Sequence, residues 1–239
     1  MEENKFIQHF KNYGIFTNKD AHEFYHTSEK NLSRNAVNSR IYKLIEKDVI
    51  NRVGRGQFKV GASKKYESRI SKKALSIGRH LKKHFPLLDF CVWNSTIVKE
   101  FSLHQSVDNF IIVETERDAL KAVFYHLKEK YKQVYLKPSR EMIENHLLEM
   151  KEVIIVQHLV SEAPLQKKEG VSTTTIEKLL VDLVCGKKVF YFYQGYELKN
   201  IFRQAFDKYT INKSTLFRYA NRRKKKQEIV QLLKSINRH

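Results

Sequence analysis

Between Ser33 and Val60 the chain reads SRNAVNSRIYKLIEKDVINRVGRGQFKV. Its polar residues are of the types that hydrogen-bond base edges and pair with phosphate. Val37, Ile41, Leu44 and Ile45 recur at helical spacing, so this stretch is expected as a helix with one apolar stripe. A rotation of about 100° per residue sets Asn35, Ser39, Tyr42, Lys43 and Glu46 opposite that stripe. Asn38 and Arg40 fall on its flanks, Arg34 in its first turn, and Ser33 is expected as its N-cap. Beyond it, Arg52, Arg55 and Lys59 surround Gly-Arg-Gly, a hairpin pattern whose glycines permit positive φ and leave Arg55 at the tip. The only acids nearby, Glu46 and Asp48, stand at the far end of the helix, away from where phosphates would approach. The candidate DNA-binding residues are therefore Ser33, Arg34, Asn35, Asn38, Ser39, Arg40 and Lys43 in the groove, with Arg52, Arg55 and Lys59 on the backbone.

Other chemistry is sparser. The eight glycines form neither a phosphate loop nor a dinucleotide fingerprint, and no Gly-x-Ser-x-Gly elbow occurs. The ten histidines and two cysteines are read as giving no metal-ligand spacing, so no metal and no cofactor are expected. Cys91 and Cys185 read as small apolar core residues of a reducing, cytoplasmic compartment. A metal-dependent nuclease would need two or three carboxylates around one cation and a nearby lysine. Asp108, Glu114 and Glu116 flank the strand FIIVETE, and Glu177, Lys178 and Asp182 lie on a later helix. Asp108 and Glu114 sit at opposite ends of that strand, and adjacent Glu177 and Lys178 point apart, so solvated strand ends and a polar helix face are the expectation. The chain is read as a non-enzyme.

The elements that must position the basic residues follow from patterning. Phe6, Ile7 and Phe10 share one helical face, and Gly14 ends that segment. Thr17 with Asp20 caps a second helix, whose apolar side is Ala21, Phe24 and Tyr25. With the Ser33 helix and the hairpin these make a winged helix-turn-helix over residues 1–62, whose third helix suits a major groove. Residues 63–85 read as a basic linker becoming a helix, first as a solvated connector, with Lys82 and Lys83 as candidates for additional nucleic-acid or partner contacts. Residues 86–239 alternate strand and helix, then turn helical, so a mixed α/β domain with a helical C-terminal part is expected. SEAPLQKKEGVSTTT reads as a loop, and Ser214 as the cap of a single last helix. Arg222, Arg223, Lys224, Lys225 and Lys226 form a basic block at or beside that helix, a candidate for additional nucleic-acid or partner contact.

Charge agrees with a polyanionic partner. The 239 residues carry a net +19. Residues 1–85 hold 19 basic against 8 acidic side chains, 86–200 hold 15 against 16, and 201–239 hold 11 against 2. Both ends are basic and the middle is neutral, which suits nucleic acid. Apolar runs such as FCVW, FIIV and VIIV are far shorter than the roughly 18 residues of a membrane span, so no membrane partner is expected.

Several stretches resemble the AbiEi antitoxin family of abortive-infection, type IV toxin–antitoxin systems. They are Arg52-Val53-Gly54-Arg55-Gly56 with Phe58, Trp93, Ser161 through Leu165, and Ile176-Glu177-Lys178-Leu179-Leu180 with Asp182. The resemblance weakens beyond Tyr191, and the Arg222–Lys226 block has no place in the family pattern. It implies a transcriptional autorepressor that binds inverted repeats in its own promoter. It also implies a C-terminal domain that neutralises a nucleotidyltransferase-type toxin encoded next door, without a stable complex being required. Rival readings are a nuclease targeted by the winged helix and a ligand-sensing transcription regulator.

Overall fold

The structure, a computed structural model, describes residues 2–29, 32–47, 49–61, 64–103 and 109–236. Asp48 and Asp108 lie outside the described residues. The fold is mixed α+β with helices at its N-terminus, and it divides into two compact units. One comprises residues 1–65 with 208–215, the other 66–207 with 216–239.

In the first unit the order is α1 (Glu2–Phe10), β1 (Phe16–Thr17), α2 (Asn18–Ser28), α3 (Arg34–Glu46), β2 (Ile50–Gly54) and β3 (Gln57–Val60). The strands pair antiparallel in the order β1-β3-β2. The two-residue β1 has no periodicity to announce it; it forms because Phe16 pairs with Phe58. Thr17 and Asp20 close a reciprocal capping box on α2, and Ser33 Oγ accepts the Ala36 N–H to start α3. Phe6, Phe10, Phe16, Tyr25, Val37, Ile41, Ile50 and Phe58 form one buried core. Phe6 alone meets four aromatic rings within 5.5 Å. α3 is therefore held by its apolar stripe, and its other face is left to solvent.

The second unit is built on a four-stranded sheet of β4 (Phe90–Asn94), β5 (Ile111–Thr115), β6 (Val134–Leu136) and β7 (Ile154–His158), in the order β4-β5-β7-β6. β4 runs antiparallel to β5, while β5, β7 and β6 are mutually parallel. Side chains alternate between its faces. Phe90, Val92, Ile111, Val113, Ile154 and Val156 pack with α4 (Lys72–His84) and α5 (Leu120–Lys130). α4 contributes Ala74, Leu75, Ile77 and Leu81, so the end of the basic 63–85 segment is a core helix. The opposite face carries Cys91, Trp93, Ile112, Glu114 and Gln157, and there it meets α7 (Ile176–Cys185) through Lys178.

Two sequence expectations change, at the stretch after β7 and at the last helix. The stretch expected as a loop contains the hairpin β8 (Leu165–Lys168) and β9 (Val171–Thr174), turned by Glu169 and Gly170, both at positive φ. After β6 the short helix α6 (Arg140–Met142) widens into a π turn over Ile143–Leu147. The single last helix is two. After α8 (Tyr196–Lys208), α9 (Lys213–Arg222) ends where Lys224 adopts φ 56°, and α10 (Lys226–Ile236) follows. Asn212, not Ser214, offers its side chain to the start of α9, accepting the Thr215 N–H. Among the described residues no helix is long and apolar enough to cross a membrane.

Candidate functional site

α3 presents one open groove of about 570 Å³, lined by Asn35, Asn38, Ser39, Tyr42, Lys43 and Glu46. All six are exposed, as is Arg34 in the first turn. Two predicted residues do other work. Ser33 spends its hydroxyl on the helix cap. Arg40 is half-buried, makes a bidentate pair with Glu29 at 2.8 and 2.9 Å, and lies 5.0 Å from the Tyr25 ring centroid. It ties α3 to the end of α2 rather than offering a free guanidinium.

The hairpin splits its cations. Arg52 pairs with Phe58 across the strands and lies over that buried ring at 5.6 Å. Lys59 pairs with Asn51, one residue along, so it points to the other face. Gly56 takes φ 64° at the turn. Arg55 is exposed at the tip, and its backbone N–H donates to Ser214 Oγ at 2.7 Å. Arg55 and one of the two strand cations can thus face a common backbone run.

The second unit holds a site that the sequence reading missed. Lys178, fully buried, bridges Glu114 and Asp182, with 2.6 Å to Asp182 Oδ2. Glu114 also accepts from Trp93 Nε1 at 3.2 Å and Gln157 Nε2 at 3.0 Å. Asp182 accepts from the Tyr219 hydroxyl at 3.0 Å and pairs with Arg223 at 3.0 Å. Burial pulls the Lys178 ammonium down, but Asp182 and Glu114 outweigh it and hold its pKa well above the ordinary range. Burial and then Asp182 push the Tyr219 phenol up, and burial pushes the Cys91 thiol up. Glu116 is exposed as expected of a strand end, but the same expectation is corrected for Glu114, 1% exposed, and that of a polar helix face for Asp182, 3% exposed. A signal was present in α7, whose Ile176, Leu179, Leu180, Val181, Leu183 and Val184 are apolar all round, so a Lys and Asp four residues apart had to be inside.

Beside this cluster, at the carboxyl ends of the parallel strands, two cavities of about 850 and 260 Å³ share His158, Val160 and Arg223. Lys137 borders the smaller and Arg117, Arg222 and Lys224 the larger. Burial, then Arg117, Lys137 and Arg223, hold the His158 imidazole below its ordinary pKa. The basic block does not act as one patch. Arg222 donates to Ser161 Oγ, Arg223 is bound to Asp182, and Lys225 pairs with Glu228, while Lys224 and Lys226 are exposed. On α4, Lys82 and Lys83 are exposed, and Lys82 also reaches the Gly170 carbonyl at 3.4 Å.

The histidine reading is corrected too. The pairs His22–His26 and His80–His84 both have His-x-x-x-His spacing. His80, His84 and His126 gather with their ligand atoms within 4.8 Å of one another.

Comparison with known families settles membership. Residues 36–239 match the DUF6577 family, a family of unknown function. This chain belongs to the DUF6577 family. The match starts inside α3, so in this DUF6577 protein it takes in most of α3, the hairpin and the whole second unit. No curated protein matches the chain.

Proposed function

We propose that this DUF6577 protein is a sequence-specific DNA-binding regulator, with the first unit a winged helix-turn-helix. The observation that carries the reading is the uncovered face of α3, whose Asn35, Asn38, Ser39 and Lys43 line one groove beside a hairpin tipped by Arg55. The element order and the β1-β3-β2 sheet are those a winged helix requires. Asn side chains can read adenine, Ser either base, and Lys guanine or phosphate. On the AbiEi resemblance, the regulator is an antitoxin that represses its own promoter, and its second unit neutralises a nucleotidyltransferase-type toxin in the cytoplasm without itself being an enzyme.

Binding to the chain's own promoter and to random duplex, each over a salt series, tests this. Asn35→Ala is expected to cost about 1–3 kcal/mol on the promoter site and little on random DNA. Arg55→Ala is expected to weaken both alike and lower the salt slope by about one. Equal loss on both duplexes for Asn35→Ala would remove the base-reading role, and an unchanged slope for Arg55→Ala would remove the hairpin from the phosphates.

A second reading, a nucleic-acid-cleaving enzyme, draws support from one observation. Glu114, Lys178 and Asp182 converge beside a cavity at the carboxyl ends of parallel strands, where α/β sheets place their ligands. Against it, the place a metal would take between the two carboxylates is filled by the Lys178 ammonium. Plasmid cleavage with Mg²⁺ or Mn²⁺ that disappears in Glu114→Gln would promote this reading over the first.

A further inference from the structure

α4 and α5 pack on the same face of the central sheet through Ile77, Leu81, Val123 and Leu127. That packing fixes the residues next to these anchors. His80 and His84 stand one turn apart on α4, and His126 precedes Leu127 on α5. The three rings meet at the rim between the helices. Their centroids are 4.2 Å apart for His80–His84, 4.8 Å for His80–His126 and 4.6 Å for His84–His126. The Nε2 atoms of His80 and His126 face each other at 2.9 Å. Two lone pairs cannot face each other at that distance, so the contact needs a proton or a cation between them.

Two details favour a cation. His84 Nδ1 lies 2.9 Å from the His80 carbonyl. Donation of Nδ1–H to that oxygen sets the tautomer and leaves the Nε2 lone pair for a ligand, the usual orienting contact of a metal-bound histidine. Metal–nitrogen bonds of about 2.0–2.1 Å at tetrahedral angles need nitrogens about 3.3 Å apart, a few tenths more than the present 2.9 Å. His84 is exposed and the other two rings are part-exposed, so they have room to open by that amount. The positive charges of Lys130 and Lys83 act on His80. A hard cation held by charge alone is therefore disfavoured, and a metal that bonds imidazole is selected.

We propose that His80, His84 and His126 bind one Zn²⁺ per chain, clipping α4 to α5 and leaving the fourth position to solvent. The site belongs wholly to the second unit and is independent of the DNA-binding reading.

The test uses untagged full-length protein, stripped with a chelator and titrated with Zn²⁺ by calorimetry. Co²⁺ absorption reports the coordination geometry. One equivalent is expected to bind at about 1 µM or tighter, with a rise in melting temperature by mass action. His84→Gln and His126→Gln should each weaken binding by about tenfold or more. His84 is exposed, so its variant folds even if His126→Gln does not. His26→Gln, in a pair whose rings stand 6.2 Å apart with no third ligand among the described residues, should change nothing. No uptake at about 100 µM Zn²⁺, or affinity unmoved in His84→Gln, would overturn the site.

Discussion

Lys178 stands fully buried between two carboxylates of the second unit, and its worth is decided by what its removal leaves behind. Replacing a buried ion pair with apolar groups is often neutral, whereas deleting one partner strands a charge in low dielectric. Lys178→Met would leave Glu114 and Asp182 buried without their ammonium, held by neighbours such as Trp93, Gln157, Tyr219 and Arg223. The expected cost is about 3–5 kcal/mol, read as a lower urea midpoint at unchanged slope. Adding Glu114→Gln should recover part of it, because one of the stranded charges is then gone. A loss below about 1 kcal/mol would mean that water reaches the cluster and screens it.

His158, at the end of β7, responds to pH in a defined direction. Its folded pKa is lowered from 6.5 by burial and by Arg117, Lys137 and Arg223. The unfolded chain therefore binds the proton more readily than the folded one, and stability falls as pH drops below about 6.5. It is fully present above that value, where the ring is neutral in both states. His158→Gln should flatten the stability curve between roughly pH 7 and pH 5 relative to the parent. A variant curve parallel to the parent's would assign the acid sensitivity to other groups.

Elements that combine a period with a cap are legible in the sequence alone: α2 from Thr17 and Asp20, α3 from Ser33 and its stripe, and α7 from its apolar run. The uncovered α3 face is equally legible, because it is the complement of that stripe. What escapes such reading depends on partners far off in the chain. β1 exists only against β3, and β8–β9 is a polar hairpin whose LQKK strand carries no apolar alternation. Arg40 looks free in sequence and is held by Glu29, eleven residues earlier. The Glu114–Lys178 pair spans 64 positions, a separation no local pattern reports.

Gly78 shows the same dependence at the packing of α4 against β9. Mid-helix, glycine costs about 0.8–1.0 kcal/mol relative to alanine. Yet a Cβ there would stand 2.3 Å from Val171 Cγ1 and 2.9 Å from Cγ2. Both α4 and Val171 belong to the core, so neither yields cheaply. Gly78→Ala should therefore destabilise by about 1–3 kcal/mol despite its better helix propensity. With Val171→Ala added, the two γ-carbon collisions go and only a 3.2 Å contact to the Cβ of residue 171 remains, so most of the Gly78→Ala cost should vanish on that background. Denaturation of the two singles and the double closes the cycle, and additive effects would show that helix and hairpin do not meet as tightly as this.

At the scale of the molecule, the first unit is discontinuous. Residues 208–215 complete it, with Ile211 buried, Thr210 N–H donating to the Lys64 carbonyl, and Ser214 receiving the Arg55 N–H at the hairpin tip. A fragment ending at Lys65 lacks all three, so its failure in any assay would confuse loss of function with loss of fold. Point substitutions in the full chain separate repression from neutralisation more cleanly. Asn35→Ala with Arg55→Ala alters only exposed side chains and leaves the Arg55 backbone donor in place. Each substitution removes a proposed DNA contact, so repression of a promoter reporter should fall by about tenfold or more. If the second unit neutralises the toxin, the same double variant, expressed from a foreign promoter beside the neighbouring reading frame, should still rescue growth. Rescue lost together with repression, at equal protein level, would mean that protection runs through DNA binding alone, leaving a plain transcription regulator.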